Sequence, residues 1–112
     1  NGGNANGKQF ISQETINYFT SAPFADNENR RGIGFDKPDL DPDVKYYTPS
    51  KQSSMSSYGH SGFTGTFAWA DPENNLIVIF LSNRVYPSSD NNKLSKLNIR
   101  TELHDLFYKA VK

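Results

Sequence analysis

The 112-residue chain contains no cysteine, which excludes disulfides, thiolate nucleophiles and thiolate metal ligands and leaves the redox compartment open. It has no net charge either, since twelve basic and twelve acidic side chains cancel. Bulk electrostatics therefore give no drive toward nucleic acid or an anionic membrane surface. The longest apolar run, residues 76–81, falls far short of the ~18 residues a membrane-spanning helix needs and suits a buried strand. Apolar residues make up only 35% of the chain, although eight Phe, six Tyr and one Trp bury large areas per residue and offset this in part. A thin core with long loops is expected. The length suits one domain, so residues 1–112 are read as a single unit. The first residue is Asn1, with no positively charged start leading into an apolar stretch, and the chain is expected to be cut from a longer protein.

What is present is organised around residues 58–84, YGHSGFTGTFAWADPENNLIVIFLSNR. Two runs of strand-forming residues, 63–70 and 76–82, flank the turn cluster Asp71-Pro72-Glu73-Asn74-Asn75, and together they predict a β-hairpin. In the first run Phe63, Phe67 and Trp69 mark one face and Thr64, Thr66 and Ala68 the other. The second, Leu76-Ile77-Val78-Ile79-Phe80-Leu81, is apolar on both faces and is expected to be a central strand covered above and below. Pro72 suits an early turn position, and Asn74 or Asn75 can take positive φ.

The approach to this hairpin is irregular. In the opening NGGNANGK, Asn6-Gly7 can close a tight turn between short extended pieces. Ser12 caps a helix expected at 13–20, with Glu14 in its first turn, Ile16 and Phe19 on one face, and Pro23 beyond its end. Arg31-Gly32-Ile33-Gly34-Phe35 reads as a short strand whose glycines admit a close backbone neighbour. In the acidic loop 36–43, Asp39, Asp41 and Asp43 fail the calcium-loop test, because Val44 and Ser50 stand where the turn glycine and closing glutamate belong. Residues 46–58 form a serine-rich connector without apolar periodicity, so long that it is either functional or mobile. After the hairpin, Ile99, Leu103, Leu106, Phe107, Ala110 and Val111 form one stripe of a helix expected at 98–110, with Asn98 as its cap. That stripe needs a surface, and the hairpin is the largest one available. The derived architecture is α+β: an antiparallel sheet of about three strands, backed by the C-terminal helix and flanked by a short N-terminal one.

Chemistry concentrates at His60-Ser61-Gly62. Such a tripeptide can direct a cation or hydroxyl at a bound carboxylate or carbonyl, and Gly62 lets a ligand approach the backbone. From the residues alone, a polar strand start is the favoured reading, about 2 to 1 over a site. His104 lies off the apolar stripe and is expected at the solvent boundary. Two histidines so far apart, without cysteine, make no metal site, and nothing in the chain calls for a cofactor. Arg84 can bind an anion or simply be solvated. There is no phosphate loop and no Gly-x-Ser-x-Gly elbow.

HSGFTGTFAWADPENNLIVIFLSNRVYP closely resembles the C-terminal part of the serine β-lactamase and penicillin-binding-protein-like family, particularly its class C and esterase-related members. NGGNANGKQFISQETINYFTS and RRGIGFDKP are similar to the segments that lead up to it there. The resemblance implies that His60, Ser61 and Gly62 form the family's third active-site box, with Phe63 supplying an oxyanion backbone N–H, beside a small-molecule acyl substrate. Class C members place Asn next to the Tyr-Pro step, whereas this chain has Val85 and Ser88, and His60 stands for the usual lysine. Both differences point away from β-lactam recognition, toward an esterase-like or uncharacterised relative. The family's Ser-x-x-Lys nucleophile box is missing: Thr48-Pro49-Ser50-Lys51 has the wrong nucleophile, and Ser89-Asp90-Asn91 falls on the wrong side of the third box for the family's second motif. The resemblance thus implies a fragment of a β-lactamase or transpeptidase-like fold, inactive alone, whose partner is the remainder of the parent domain carrying the nucleophile. A periplasmic or cell-envelope location would be typical. The competing reading is a non-catalytic module that holds a peptide or carbohydrate on Tyr46, Tyr47 and Trp69, or an interface domain.

Overall fold

A computed structural model describes residues 2–27, 29–45 and 49–111. Tyr46, Tyr47 and Thr48 lie outside the described residues, and with them part of the aromatic surface expected for ligand binding. The chain opens with strands β1 (Asn4–Ala5) and β2 (Lys8–Gln9), paired antiparallel across the turn that Asn6 and Gly7 close with φ of 51° and 75°. Helix α1 (Gln13–Thr20) has the expected bounds. Ser12 caps it, its hydroxyl accepting from the Thr15 N–H at 3.0 Å.

The main sheet is three antiparallel strands in the order β3 (Tyr58–Ser61), β4 (Phe67–Asp71), β5 (Leu76–Phe80). Its register aligns His60 with Ala68, Ser61 with Phe67, and Trp69 with Val78. Two expectations are corrected here. The run 63–70 is not one strand: the chain turns at residues 62–66, where Gly62 N–H donates to Thr66 O at 2.8 Å and Gly65 takes φ of 95°. The His-Ser-Gly box therefore closes a preceding strand instead of opening the hairpin. The segment 31–35 is not a strand either. Gly32 packs under Ser21 O, where a Cβ would stand at 2.7 Å, and only Asp36 joins the sheet, in a reciprocal bridge with Gly59 of 2.7 and 3.0 Å. Pro38, without an N–H, ends any further ladder.

One sheet face holds the core. Phe67 and Trp69 stack with centroids 5.7 Å apart and Val78 lies beside them. Against this face lies α3 (Ile99–Val111), preceded by a single helical turn, α2 (Lys93–Lys96), which the polar sequence there did not suggest. Leu94 of α2 is buried and Asn98, at φ 51°, separates the two helices. The rotation of α3 departs from the apolar stripe. His104 and Tyr108 face the sheet, fully buried, while Leu106, Phe107 and Val111 remain exposed. The cause is a polar anchor: Tyr108 donates its hydroxyl to Asp71 at the end of β4, and His104 lies edge-on to Phe67 at 5.3 Å.

On the opposite sheet face Phe35 packs on Tyr58 at 5.2 Å, and the β5 side is left uncovered by the described residues. Strand β5 is an edge strand, not the central covered one expected, and Ile77, Ile79 and Leu81 are 73%, 64% and 78% exposed against 4% for Val78. An apolar surface of this kind marks an interaction face. Ile79→Thr is expected to shift the chain's stability by less than about 0.5 kcal/mol, and Val78→Ala to cost about 2 kcal/mol through lost burial and a cavity, as read from urea midpoints.

Candidate functional site

Strand β3 ends beside the 62–66 turn with its outer edge unpaired beyond the Asp36–Gly59 bridge, so His60 and Ser61 stand at a free sheet edge. His60 is exposed, and its Nε2 lies 3.3 Å from Arg31 Nη2 while its Nδ1 lies 2.9 Å from Ser61 O. Arginine can only donate and a carbonyl can only accept, so these contacts together fit a neutral ring protonated on Nδ1. The local positive charge then belongs to Arg31, which also pairs with Asp36 at 3.2 Å. Sequence reasoning missed Arg31. The Asp36–Gly59 bridge brings it to the box, and nothing in RRGIGFDKP announces that pairing.

The turn after the box presents a specific donor. Gly62 O accepts from Gly65 N–H at 2.9 Å. A trans peptide points its N–H opposite to its C=O, so the Phe63 N–H faces away from the turn interior, and no described residue accepts from it. Phe63 itself is exposed, its ring 4.6 Å from the Arg84 guanidinium. A Cβ on Gly62 would meet Thr66 Oγ1 at 2.6 Å, so the tight turn favours glycine there. His60, Ser61, Gly62 and Phe63 follow one another at this edge, with His60 on the sheet face of Ala68 and Ile79 and Ser61 on the opposite face, that of Phe67.

Ser61 also borders a cleft of about 470 Å³ whose other walls include Phe67, Leu94, Arg30 and Arg100. Arg30 is committed to Asp39 at 3.0 Å. Arg100 has no hydrogen-bond or ion-pair partner among the described residues, and burial followed by the nearby Arg84 charge lowers its proton affinity. Such a guanidinium suits an anionic group. Arg84, half-buried, is engaged on two sides: its Nε donates to Phe63 O at 2.8 Å and its Nη1 to Ser89 O and Asn91 O at 3.1 and 3.2 Å.

Behind the sheet lies a polar cluster that sequence reasoning also missed. Asp71, 2% exposed, accepts from Ser54 Oγ at 2.7 Å, Ser54 N–H at 2.8 Å, Asn74 Nδ2 at 2.9 Å and the Tyr108 hydroxyl. Burial pushes its carboxyl up, but the Ser54 and Tyr108 hydroxyls, with the Ser54 and Asn74 N–H groups, outweigh it and hold the carboxyl at about 2. Burial pushes the Tyr108 phenol up, and the bond to Asp71 pushes it further. His104, 1% exposed, is lowered to about 4 by burial, against the opposing pull of Asp105 and Asp71. It is thus a core residue and not the boundary residue expected. Trp69, expected among ligand-binding aromatics, is buried in the core and is out of reach of a ligand. No cluster of three metal-ligating side chains occurs among the described residues, and no helix there is long and apolar enough to cross a membrane.

Comparison with known proteins decides the family. The β-lactamase family model matches residues 3–101. The chain belongs to the β-lactamase family. Two curated relatives in this family's range carry the description "Putative D-alanyl-D-alanine carboxypeptidase". The one from Escherichia coli O157:H7 is 31% identical over 97 residues and that from Escherichia coli strain K12 is 30% identical over 97 residues. Each match covers 83% of this chain and 21% of the relative, so the chain spans about a fifth of their length. No solved structure gives a significant match. The chain is therefore a hydrolase-related β-lactamase-family segment with bacterial relatives, as its hairpin motif implies.

Proposed function

We propose that the chain is the C-terminal segment of a serine β-lactamase-related hydrolase and supplies the third-box wall of its active site. His60, Ser61, Gly62 and Phe63 line the acyl substrate, and the nucleophile comes from the rest of the parent domain. The observation that carries this reading is the unspent Phe63 N–H at the end of β3. Attack on an ester or amide carbonyl builds negative charge on its oxygen, and a preorganised backbone N–H stabilises that charge more than the ground-state carbonyl. The peptide is already fixed through Gly62 O, so little reorganisation is needed as charge develops. The Arg31 guanidinium, 3.3 Å from His60 Nε2, is the nearby cation. Arg100, without a partner among the described residues and beside the Ser61 cleft, favours a substrate that carries a carboxylate or similar anionic group.

Two further features support the partner in this reading. A Ser-x-x-Lys pair, the family's activated nucleophile, does not occur in the chain, and the exposed β5 face offers an apolar surface for other elements of the parent to cover. The test is covalent labelling by a fluorophosphonate. The isolated chain is expected to remain unlabelled and the longer parent to label at a serine of a Ser-x-x-Lys motif. Labelling of the isolated chain at any serine would overturn the reading.

A further inference from the structure

We infer that Arg84 is a positioning residue for the oxyanion donor, holding the 62–66 turn so that the Phe63 N–H stays presented; this rests on the role proposed above for Phe63. Apart from its two internal bonds, Gly62 N–H to Thr66 O and Gly65 N–H to Gly62 O, and the Ser82 hydroxyl that donates to Thr64 O at 3.2 Å, the turn is held by Arg84. It is flanked by two glycines, which restrict the backbone least, and Phe63 and Thr64 lie exposed with no core to pack into. Arg84 reaches it from the exit of β5 by three routes. Its backbone N–H donates to Thr64 O at 2.9 Å, its Nε–H donates to Phe63 O at 2.8 Å, and its guanidinium lies 4.6 Å from the Phe63 ring centroid.

The far end of the same guanidinium is anchored in turn. Nη1 donates to Ser89 O and Asn91 O, so the side chain is a strut between the chain after β5 and the turn after β3. A planar fork can serve these separated carbonyls at once, whereas a lysine ammonium concentrates its donors at one point. Because the donors are charged, each bond to a neutral carbonyl is stronger than a neutral pair. Fixing the Phe63 carbonyl and ring on one side, and Gly62 O through Gly65 on the other, determines both peptide planes around Phe63. The direction of its N–H follows from those two planes.

The experiment uses the full-length protein that carries this chain, with Arg84→Lys and Arg84→Ala, and reads two quantities. Hydrogen–deuterium exchange of the peptide spanning residues 62–66 reports the turn, and p-nitrophenyl acetate hydrolysis reports kcat and KM. Both variants are expected to exchange faster in that peptide alone and to lose roughly 10- to 100-fold in kcat, with KM within about twofold of wild type. Wild-type exchange in Arg84→Ala overturns the inference whatever happens to kcat. Faster exchange with unchanged kcat overturns it through the Phe63 reading, leaving Arg84 as a purely structural strut. Full activity in Arg84→Lys, which keeps the charge and the fold, would assign the effect to charge and remove the fork from the argument. A rise in KM with kcat unchanged makes Arg84 a substrate-binding group and is equally adverse.

Discussion

Asp71→Asn should destabilise the chain by about 3–5 kcal/mol, the cost typical of leaving a buried charged network without one of its partners. Asparagine matches aspartate in shape but keeps a single acceptor oxygen and turns an NH2 group toward neighbours that are themselves donors. Whichever oxygen becomes NH2, it faces groups that can only donate, Ser54 N–H and Asn74 Nδ2 at Oδ2 or the Glu73 and Asn74 backbone N–H groups at Oδ1, in a site only 2% exposed. The loss spreads because Asp71 joins three elements: the end of β4, the 49–57 connector through Ser54, and α3 through Tyr108. The buried Lys37, whose ammonium donates to Ser56 O at 3.0 Å, also loses the nearby negative charge that opposes its desolvation. Tyr108→Phe is the milder control. It removes one hydrogen bond to a charged acceptor and keeps the packing against His104, so about 1.5–3 kcal/mol is expected. Urea unfolding of both variants and of the double variant measures the coupling. An Asp71→Asn loss under 1 kcal/mol would show that the connector and α3 are held by packing alone.

The same cluster explains what the sequence could and could not reveal. Helix α1 was legible because capping and termination are local: Ser12, Glu14 and Pro23 all act within one turn of the helix ends. Strands β4 and β5 were legible within the runs 63–70 and 76–82, but the third strand expected, 31–35, is irregular, and neither β3 nor its boundary with β4 was legible. Phe63, Thr64 and Thr66 have strand propensity, and the turn is dictated by Gly62 and Gly65, whose effect depends on a bond from Gly62 to Thr66. The rotation of α3 was hidden for a related reason. Its stripe of Leu106, Phe107 and Val111 is a real apolar face, yet the helix is turned by a bond between Tyr108 and Asp71, residues 37 apart in sequence. Strand β5 shows the limit of apolarity as a signal. Ile77 and Ile79 announce that a cover is wanted and say nothing about where it comes from.

For the candidate site the split is sharper. The His60-Ser61-Gly62 box could be found in the sequence only through family resemblance, since its residue types alone also describe an ordinary strand end. The groups that give the box its electrostatic and mechanical setting were not legible at all. Arg31 arrives through the Asp36–Gly59 bridge, Arg84 through the β5 exit, and Arg100 through the packing of α3 beside Ser61. Each depends on a tertiary pairing between segments that carry no mutual signal in one sequence.

Acid should weaken the fold in two stages, and the first belongs to His104. An ordinary histidine titrates near 6.5, and in the fold burial lowers His104 to about 4. Between these values the unfolded chain takes up a proton that the folded chain refuses, so stability falls as pH drops from about 7 to about 4. At 1.36 kcal/mol per pH unit the full difference is about 3 kcal/mol. Asp71 governs the second stage. Its carboxyl sits at about 2 in the fold against 3.8 for an ordinary aspartate, so its contribution is complete above about pH 5 and is lost as pH falls from about 4 toward 2, a further ~2 kcal/mol. Together the two stages rival the 5–15 kcal/mol by which domains are usually stable. Unfolding free energies measured in urea at a series of pH values should therefore show a slope above pH 4 that His104→Phe abolishes, because an uncharged ring cannot take the proton. The fall below pH 4 should persist in that variant, since Asp71 and Tyr108 are untouched. A wild-type chain whose stability is flat from pH 7 to 4.5 would mean that His104 meets water or a counter-charge when protonated, and its place in the core beside Phe67 and Tyr108 would have to be abandoned.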